Sequence, residues 1–261
     1  MASAVVQVFG QPASTDVARV MACLLERNLE FQLVRTDTFR RGHKIPEFVK
    51  MRARSSINNS RHTNLSATLM THADHVHSRD ICRYVCTEFP RWCTKDLYGT
   101  GALERACIEK WLQAETQSFD APSAALAFHL AFAPRPVRVS SPATSPHDDN
   151  EEDEEEEERH AATVAESERW LARVLDVYDE ALGRSAYLAG DEFTLADLSH
   201  LPNAHYVACA DARGRALLAS RGNVARWYAA ISARPAWRQV VSAQARSAHY
   251  PCAFQATDSP R

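Results

Sequence analysis

Of the seven cysteines in this 261-residue chain (Cys23, Cys82, Cys86, Cys93, Cys107, Cys209 and Cys252), none forms a CxxC pair. That absence argues against a zinc ribbon and a thioredoxin-type redox centre, and the odd, scattered set argues against a disulfide framework. Reduced thiols in a reducing compartment are the expectation. No apolar run approaches the roughly 18 residues of a membrane span, and MASAVVQVFG lacks a charged stretch followed by a long apolar one, so neither a membrane segment nor a signal peptide is expected. A cytosolic location follows as the expectation. No dense Lys/Arg stripe suggests nucleic acid. Residues 51 to 77 contain no glycine, no proline and a single acidic residue, and no period of 2 or 3.6 runs through them.

What is present begins with 45% hydrophobic residues over a length that suits two domains. The net charge of −3 hides an asymmetry: ten acidic residues fall within 148 to 158, and the remainder carries +7. SAVVQVF (3 to 9) reads as a short buried strand, and GQPA ends it. From Thr15, Val17, Val20, Met21, Leu24 and Leu25 fall on one helix face. EFQLVRT (30 to 36) is a second strand candidate. Together these make a βαβ unit with parallel strands. SRDICRYVCTEF (78 to 89) reads as a helix with Ser78 as its N-cap.

The second half is helical. LERACIEKWLQAETQSF (103 to 119) and ESERWLARVLDVYDEAL (166 to 182) are both periodic, the latter through Leu171, Val174, Leu175, Tyr178 and Leu182. Between them, four prolines and the acidic block predict a disordered insertion over 134 to 160. In FTLADLSH (193 to 200), Thr194 and Asp197 have capping-box spacing, while Phe193 and Leu198 occupy the staple positions. NVARWYAAISARP (223 to 235) supplies a further helix, closed by Pro235.

By position alone, Ser14 or Thr15 is an N-cap worth about 1 kcal/mol. The order of elements carries a second reading. VFGQPASTDVARV (8 to 20), GHKIPEF (42 to 48), HSRDICRYV (77 to 85), ARVLDVYDEAL (172 to 182), YLAGDEFTLADLSHLP (187 to 202) and RPAW (234 to 237) resemble the glutathione transferases, most closely the plant phi class. The resemblance implies an α/β, thioredoxin-like N-terminal domain that binds glutathione (residues 1 to 90), followed by an all-α helical domain that lines the electrophile pocket (98 to 245) and a tail (246 to 261).

It implies a transferase that conjugates glutathione, as co-substrate, to hydrophobic electrophiles in detoxification. Ser14 would be the catalytic hydroxyl that holds the thiolate. His43 and Lys44 would hold the glycyl carboxylate, with Ser78 and the neighbouring His77 at the γ-glutamyl carboxylate. A homodimer is implied, without metal, membrane or nucleic acid. No cysteine stands at the first helix start, which favours conjugation over thiol–disulfide exchange.

The chain departs from the phi pattern at 51 to 77, where the family's cis-proline segment is missing, and at His77, where the family has Glu. The loss and return of periodicity there is what a translated intron or a shifted frame between intact flanks would leave. With those strands gone, the alternative reading is a transferase-like protein that binds apolar ligands or partners without efficient catalysis. His62, His72, His75 and His77 lack a second ligand cluster and do not read as a metal site.

Overall fold

The computed structural model describes residues 6–35, 68–70, 77–89, 96–131 and 149–246. These fall into two compact units, the first formed by residues 1–100 together with 234–250 and the second centred on 101–233.

In the first unit, β1 (Val6–Phe9) lies between β2 (Phe31–Val34) and β3 (Thr68–Met70), and pairs parallel with both. The parallel β1–β2 pair is the one that the βαβ reading requires. The strands are shorter than the sequence suggests, and β3 emerges inside the segment where no period was visible; three residues are too few to show one. Gly10 leaves β1 with φ 144°, a conformation that glycine reaches without a Cβ penalty. Helix α1 (Thr15–Glu26) buries Val17, Val20, Met21 and Leu24, the stripe read from the sequence, although Leu25 is only half-buried. Asn28, at φ 51°, closes the helix in a Schellman motif: its N–H bonds to Leu25 O and that of Leu29 to Leu24 O.

Helix α2 (Ser78–Glu88) packs on α1 through a cluster of thiols. Cys23 Sγ lies 4.0 Å from Cys86 Sγ and 3.9 Å from Cys82 O, and all three cysteines are buried. Contacts with Cys82 and Cys86, followed by burial, push the Cys23 thiol well above its ordinary pKa. Burial keeps the reagent from all three, and Cys23 is further protected because the thiolate is the reactive form, so these three should resist alkylation in the native protein, whereas the exposed Cys107 should react. Peptide mapping after brief iodoacetamide treatment checks this; native labelling of Cys23 would contradict it.

Helix α9 (Pro235–Ala245) belongs by its contacts to the first unit, not to the helical domain in which the sequence placed it. Pro235 begins this helix at the first turn, where its missing N–H costs nothing, and so does more than close the preceding one. Arg234 forks onto Glu26 of α1 at 2.5 and 2.6 Å, and Gln244 Nε2 donates to Pro12 O at 2.9 Å.

The second unit contains α3 (Ala102–Ala114), α4 (Asp120–Ala131), α5 (Asp149–Leu182), α6 (Leu195–Ala210), α7 (Ala212–Ala219) and α8 (Gly222–Ser232). A π-helical turn, Glu115–Phe119, joins α3 to α4, so the predicted helix ending at 119 runs on to 131. Helix α6 is buried along almost its whole length. Trp111, Phe119, Tyr178, His200 and Trp227 form an aromatic core beside it. His200 Nδ1 faces Ala196 O at 2.6 Å, an acceptor only, so Nδ1 carries the proton and Nε2 accepts from Tyr178 OH at 2.8 Å. Burial, aided by Glu115, raises the Tyr178 phenol above its ordinary value.

The capping box is present. Asp197 Oδ1 accepts from Leu188 N and Trp227 Nε1 at 3.0 and 2.8 Å, and Oδ2 accepts from Thr194 N at 3.0 Å. The predicted disorder over 134–160 requires correction at its end, because 149–160 are the first turns of α5. Glutamate has good helix propensity, and an acidic run is stabilised at the positive end of the helix dipole. Residues 134–148 lie outside the described residues.

Candidate active site

The candidate site residues among those described, Ser14, His77 and Ser78, sit at the amino ends of α1 and α2, both in the first unit. Ser14 is the N-cap of α1, with φ −71° and ψ 132°, yet its side chain makes no capping hydrogen bond. Its backbone is spent on the turn, with N–H to Gln11 O and C=O from Ala18 N–H, both at 2.9 Å. The half-buried hydroxyl is therefore left over at the positive end of a twelve-residue helix.

Ser78 is the first residue of α2 and not its N-cap; His77, in extended backbone, holds that position and makes no side-chain cap either. The physical reason lies in the Ser78 hydroxyl, which turns away from its own helix. It donates to Asp16 Oδ1 at 2.6 Å and accepts from Arg19 Nη1 at 2.6 Å, while Arg19 also reaches Asp16 at 3.0 Å. Arg19 is 1% exposed and Ser78 2%. A buried guanidinium is tolerated only where it is paired and hydrogen-bonded, and this three-residue lock, tying α1 to α2, satisfies that requirement. Asp80, whose charge the sequence places near Ser78, instead pairs with Arg83 at 2.6 Å.

Asp16 and Arg19 escaped the sequence reading. A signal was available: the two stand at i, i+3, and Arg19 interrupts an otherwise apolar stretch from Val17 to Leu25. His43 and Lys44 lie outside the described residues, as do His62, His72 and His75. Among the described residues no group of His, Cys, Asp and Glu is placed to hold a metal ion, and no helix is long and apolar enough to cross a membrane.

Comparison with known proteins adds the deciding observation. The model of the glutathione S-transferase C-terminal domain matches residues 127–235. Glutathione S-transferase F11 of Arabidopsis thaliana is 31% identical over 237 residues, spanning 91% of this chain and 97% of that protein. The chain belongs to the glutathione S-transferase family. Within it the chain groups with the plant phi class. Glutathione S-transferase 3 of Zea mays is 32% identical over 91% of this chain and 93% of its own length. The crystal structure of glutathione transferase F2 from Populus trichocarpa superposes with a TM-score of 0.69 at 39% identity, covering 90% of this chain and 97% of that one.

The transferase architecture read from the sequence is thus the observed one, an N-terminal α/β unit followed by helices. In this transferase the amino end of α1 keeps an unspent serine hydroxyl, and the amino end of α2 keeps a serine locked to a buried arginine.

Proposed function

We infer that the protein conjugates reduced glutathione to hydrophobic electrophiles, with Ser14 stabilising the thiolate. The observation that carries this reading is the Ser14 hydroxyl, free of any capping bond at the start of α1. A free thiol has a pKa of about 8.5, so only a few per cent is ionised at neutral pH. A hydrogen bond from a hydroxyl to a charged acceptor is worth about 1.5–3 kcal/mol, and the helix dipole adds about 0.3–1 kcal/mol. Together they lower the pKa of the bound thiol by roughly 1 to 3. The proton leaves to water. The sulfur electron pair then attacks the electrophilic carbon, a C–S bond forms, and the leaving group departs with its bonding pair.

The γ-glutamyl carboxylate is assigned to the amino end of α2, where backbone N–H groups and the helix dipole favour an anion. Since the Ser78 hydroxyl donates to Asp16, its backbone N–H is the group left to face that carboxylate, with His77 beside it. His43 and Lys44 are assigned to the glycyl carboxylate by the family pattern. Glutathione names in the relatives support the co-substrate. The test is turnover of glutathione with an aryl halide such as 1-chloro-2,4-dinitrobenzene, followed by thioether absorbance. Absence of turnover with intact glutathione binding would leave the binding-protein reading in its place.

Cytosolic detoxification and homodimerisation belong to the same reading. On α5, Trp170, Val174, Val177 and Ala181 repeat at 4, 3 and 4 residues and line a cavity of about 530 Å³ with α3. Trp170 and Val177 are 50% and 62% exposed. A second apolar stripe of coiled-coil spacing, alongside the buried Leu171, Leu175, Tyr178 and Leu182, fits the same helix of a second copy. Analytical ultracentrifugation should give the mass of two chains for the wild type and of one for Val177→Glu; a monomeric wild type would refute this assembly.

A further inference from the structure

Within the first unit, α9 lies antiparallel along α1 and is fastened to it at both ends. At the start of α9, Arg234 forks onto Glu26, the last residue of α1; near its finish, Gln244 reaches the turn that precedes α1. The two helices have twelve and eleven residues, so the two fastenings fall at matching heights. Between them in sequence, Ala236, Trp237, Val240 and Ala243 give α9 a buried face.

The second fastening bears on Ser14. Residues Gln11, Pro12, Ala13 and Ser14 form a β-turn, closed by the Ser14 N–H to Gln11 O at 2.9 Å, with Pro12 at the second position, where the fixed φ of proline is suited. The closing bond does not by itself set the turn. Types I and II share it and differ by a flip of the central peptide, here the one that joins Pro12 to Ala13. The flipped form needs a positive φ at Ala13, and among the described residues Asn28 alone outside glycine has one, so the unflipped peptide is present.

Gln244 holds that orientation. A carbonyl only accepts, so it is the amide nitrogen of Gln244 that faces Pro12 O, donating at 2.9 Å. Gln244 is 0% exposed and Pro12 is buried, and a buried carbonyl that loses its donor is costly to leave unpaired. The bond thus fixes the peptide two residues before the hydroxyl, and with it the direction in which the chain delivers Ser14 to the head of α1.

We propose that Gln244 is a positioning residue for conjugation: by holding the Pro12 carbonyl it fixes the turn that aims the Ser14 hydroxyl at the glutathione sulfur. This rests on the role proposed above for Ser14. A displacement of about 1 Å at a reacting centre can cost on the order of 100-fold in rate. A loosened turn therefore weakens the stabilisation of the thiolate, while the sites assigned to the glutathione carboxylates keep their geometry.

The test sets variants of the full chain beside the wild type, with 1-chloro-2,4-dinitrobenzene as electrophile. Gln244→Met keeps the volume and loses the donor; it should lower kcat about 5- to 50-fold with KM for glutathione within about twofold. The pKa of the bound thiol, read from thiolate absorbance near 240 nm, should rise by about 0.5 or more. Gln244→Asn, which keeps the amide but is one methylene too short to reach, should do the same, and it stands in if the Met variant does not fold. Arg234→Met releases the other end of α9; it should lower Tm while leaving kcat and the thiol pKa at wild-type values. Adding Gln244→Met to Ser14→Ala should cost no more than about a further twofold, because no hydroxyl is left to aim. A wild-type thiol pKa in both Gln244 variants, an equal pKa rise in Arg234→Met, or full additivity of the Gln244 and Ser14 changes would overturn the assignment and leave the conjugation reading standing. Equal turnover by Ser14→Ala and wild type would instead remove the Ser14 role itself, and this proposal with it.

Discussion

Ser14→Ala is expected to lower kcat/KM for conjugation by roughly 10- to 150-fold, the equivalent of the about 1.5–3 kcal/mol that a hydroxyl gives a charged acceptor. The thiol of bound glutathione should titrate closer to its free value of about 8.5, so activity in the variant should climb with pH where that of the wild type has levelled off. Thiolate absorbance near 240 nm, titrated in the binary complex, reads the pKa directly. Glutathione affinity should change little, because the proposed sites for the tripeptide's carboxylates lie elsewhere. The fold should be untouched too, since the side chain makes no capping bond to lose. Equal turnover in variant and wild type would remove Ser14 from the mechanism.

Asp197→Ala carries the largest expected effect on stability. Its carboxylate is fully buried, and its loss leaves the N–H groups of Leu188, Thr194 and Trp227 without an acceptor. Breaking a buried charged network costs about 3–5 kcal/mol, which for a chain of this size lowers Tm by on the order of 10 °C. Thermal unfolding followed by circular dichroism measures it, and a drop of less than about 3 °C would show that the box is dispensable.

The pH dependence follows from the direction of the shift at Asp197. Burial raises the folded-state pKa above 3.8, although hydrogen bonds from Leu188, Trp227 and Thr194 oppose it. Between 3.8 and the raised value the folded chain binds more protons here than the unfolded chain, so this residue's contribution falls as pH rises through that window. The stability advantage of wild type over Asp197→Asn, whose side chain does not titrate, should therefore be greatest at the acid end.

Legibility in the sequence tracked the length of the periodic signal. Helix α1, with five apolar residues on one face, and the Thr194–Asp197 box, whose chemistry is local, were readable to within a residue. Strand β3, only three residues long, was not. The acidic block misled because composition weighed against folding there, while the helix it opens is extended by the apolar stripe that follows it. At the candidate site, the placing of Ser14 at the start of α1 was legible from its position after a strand and before a helix, whereas the role proposed for it comes from the family resemblance. The Asp16–Arg19–Ser78 lock was not legible, because it joins residues 59 and 62 positions apart in sequence, and no local pattern encodes such a distance.

The return of α9 to the unit that opens the chain has a consequence for biogenesis. The unit begun before residues 101–233 is completed by a piece made only after those residues have been translated. At about 5–20 residues per second, the interval is on the order of ten seconds. Until Arg234 emerges to meet Glu26, and Gln244 to meet the Pro12 carbonyl, the nascent βαβ unit has an uncovered flank. Premature termination near residue 233 should thus leave the intervening helices competent to fold while making the amino-terminal part a substrate for chaperones and proteases.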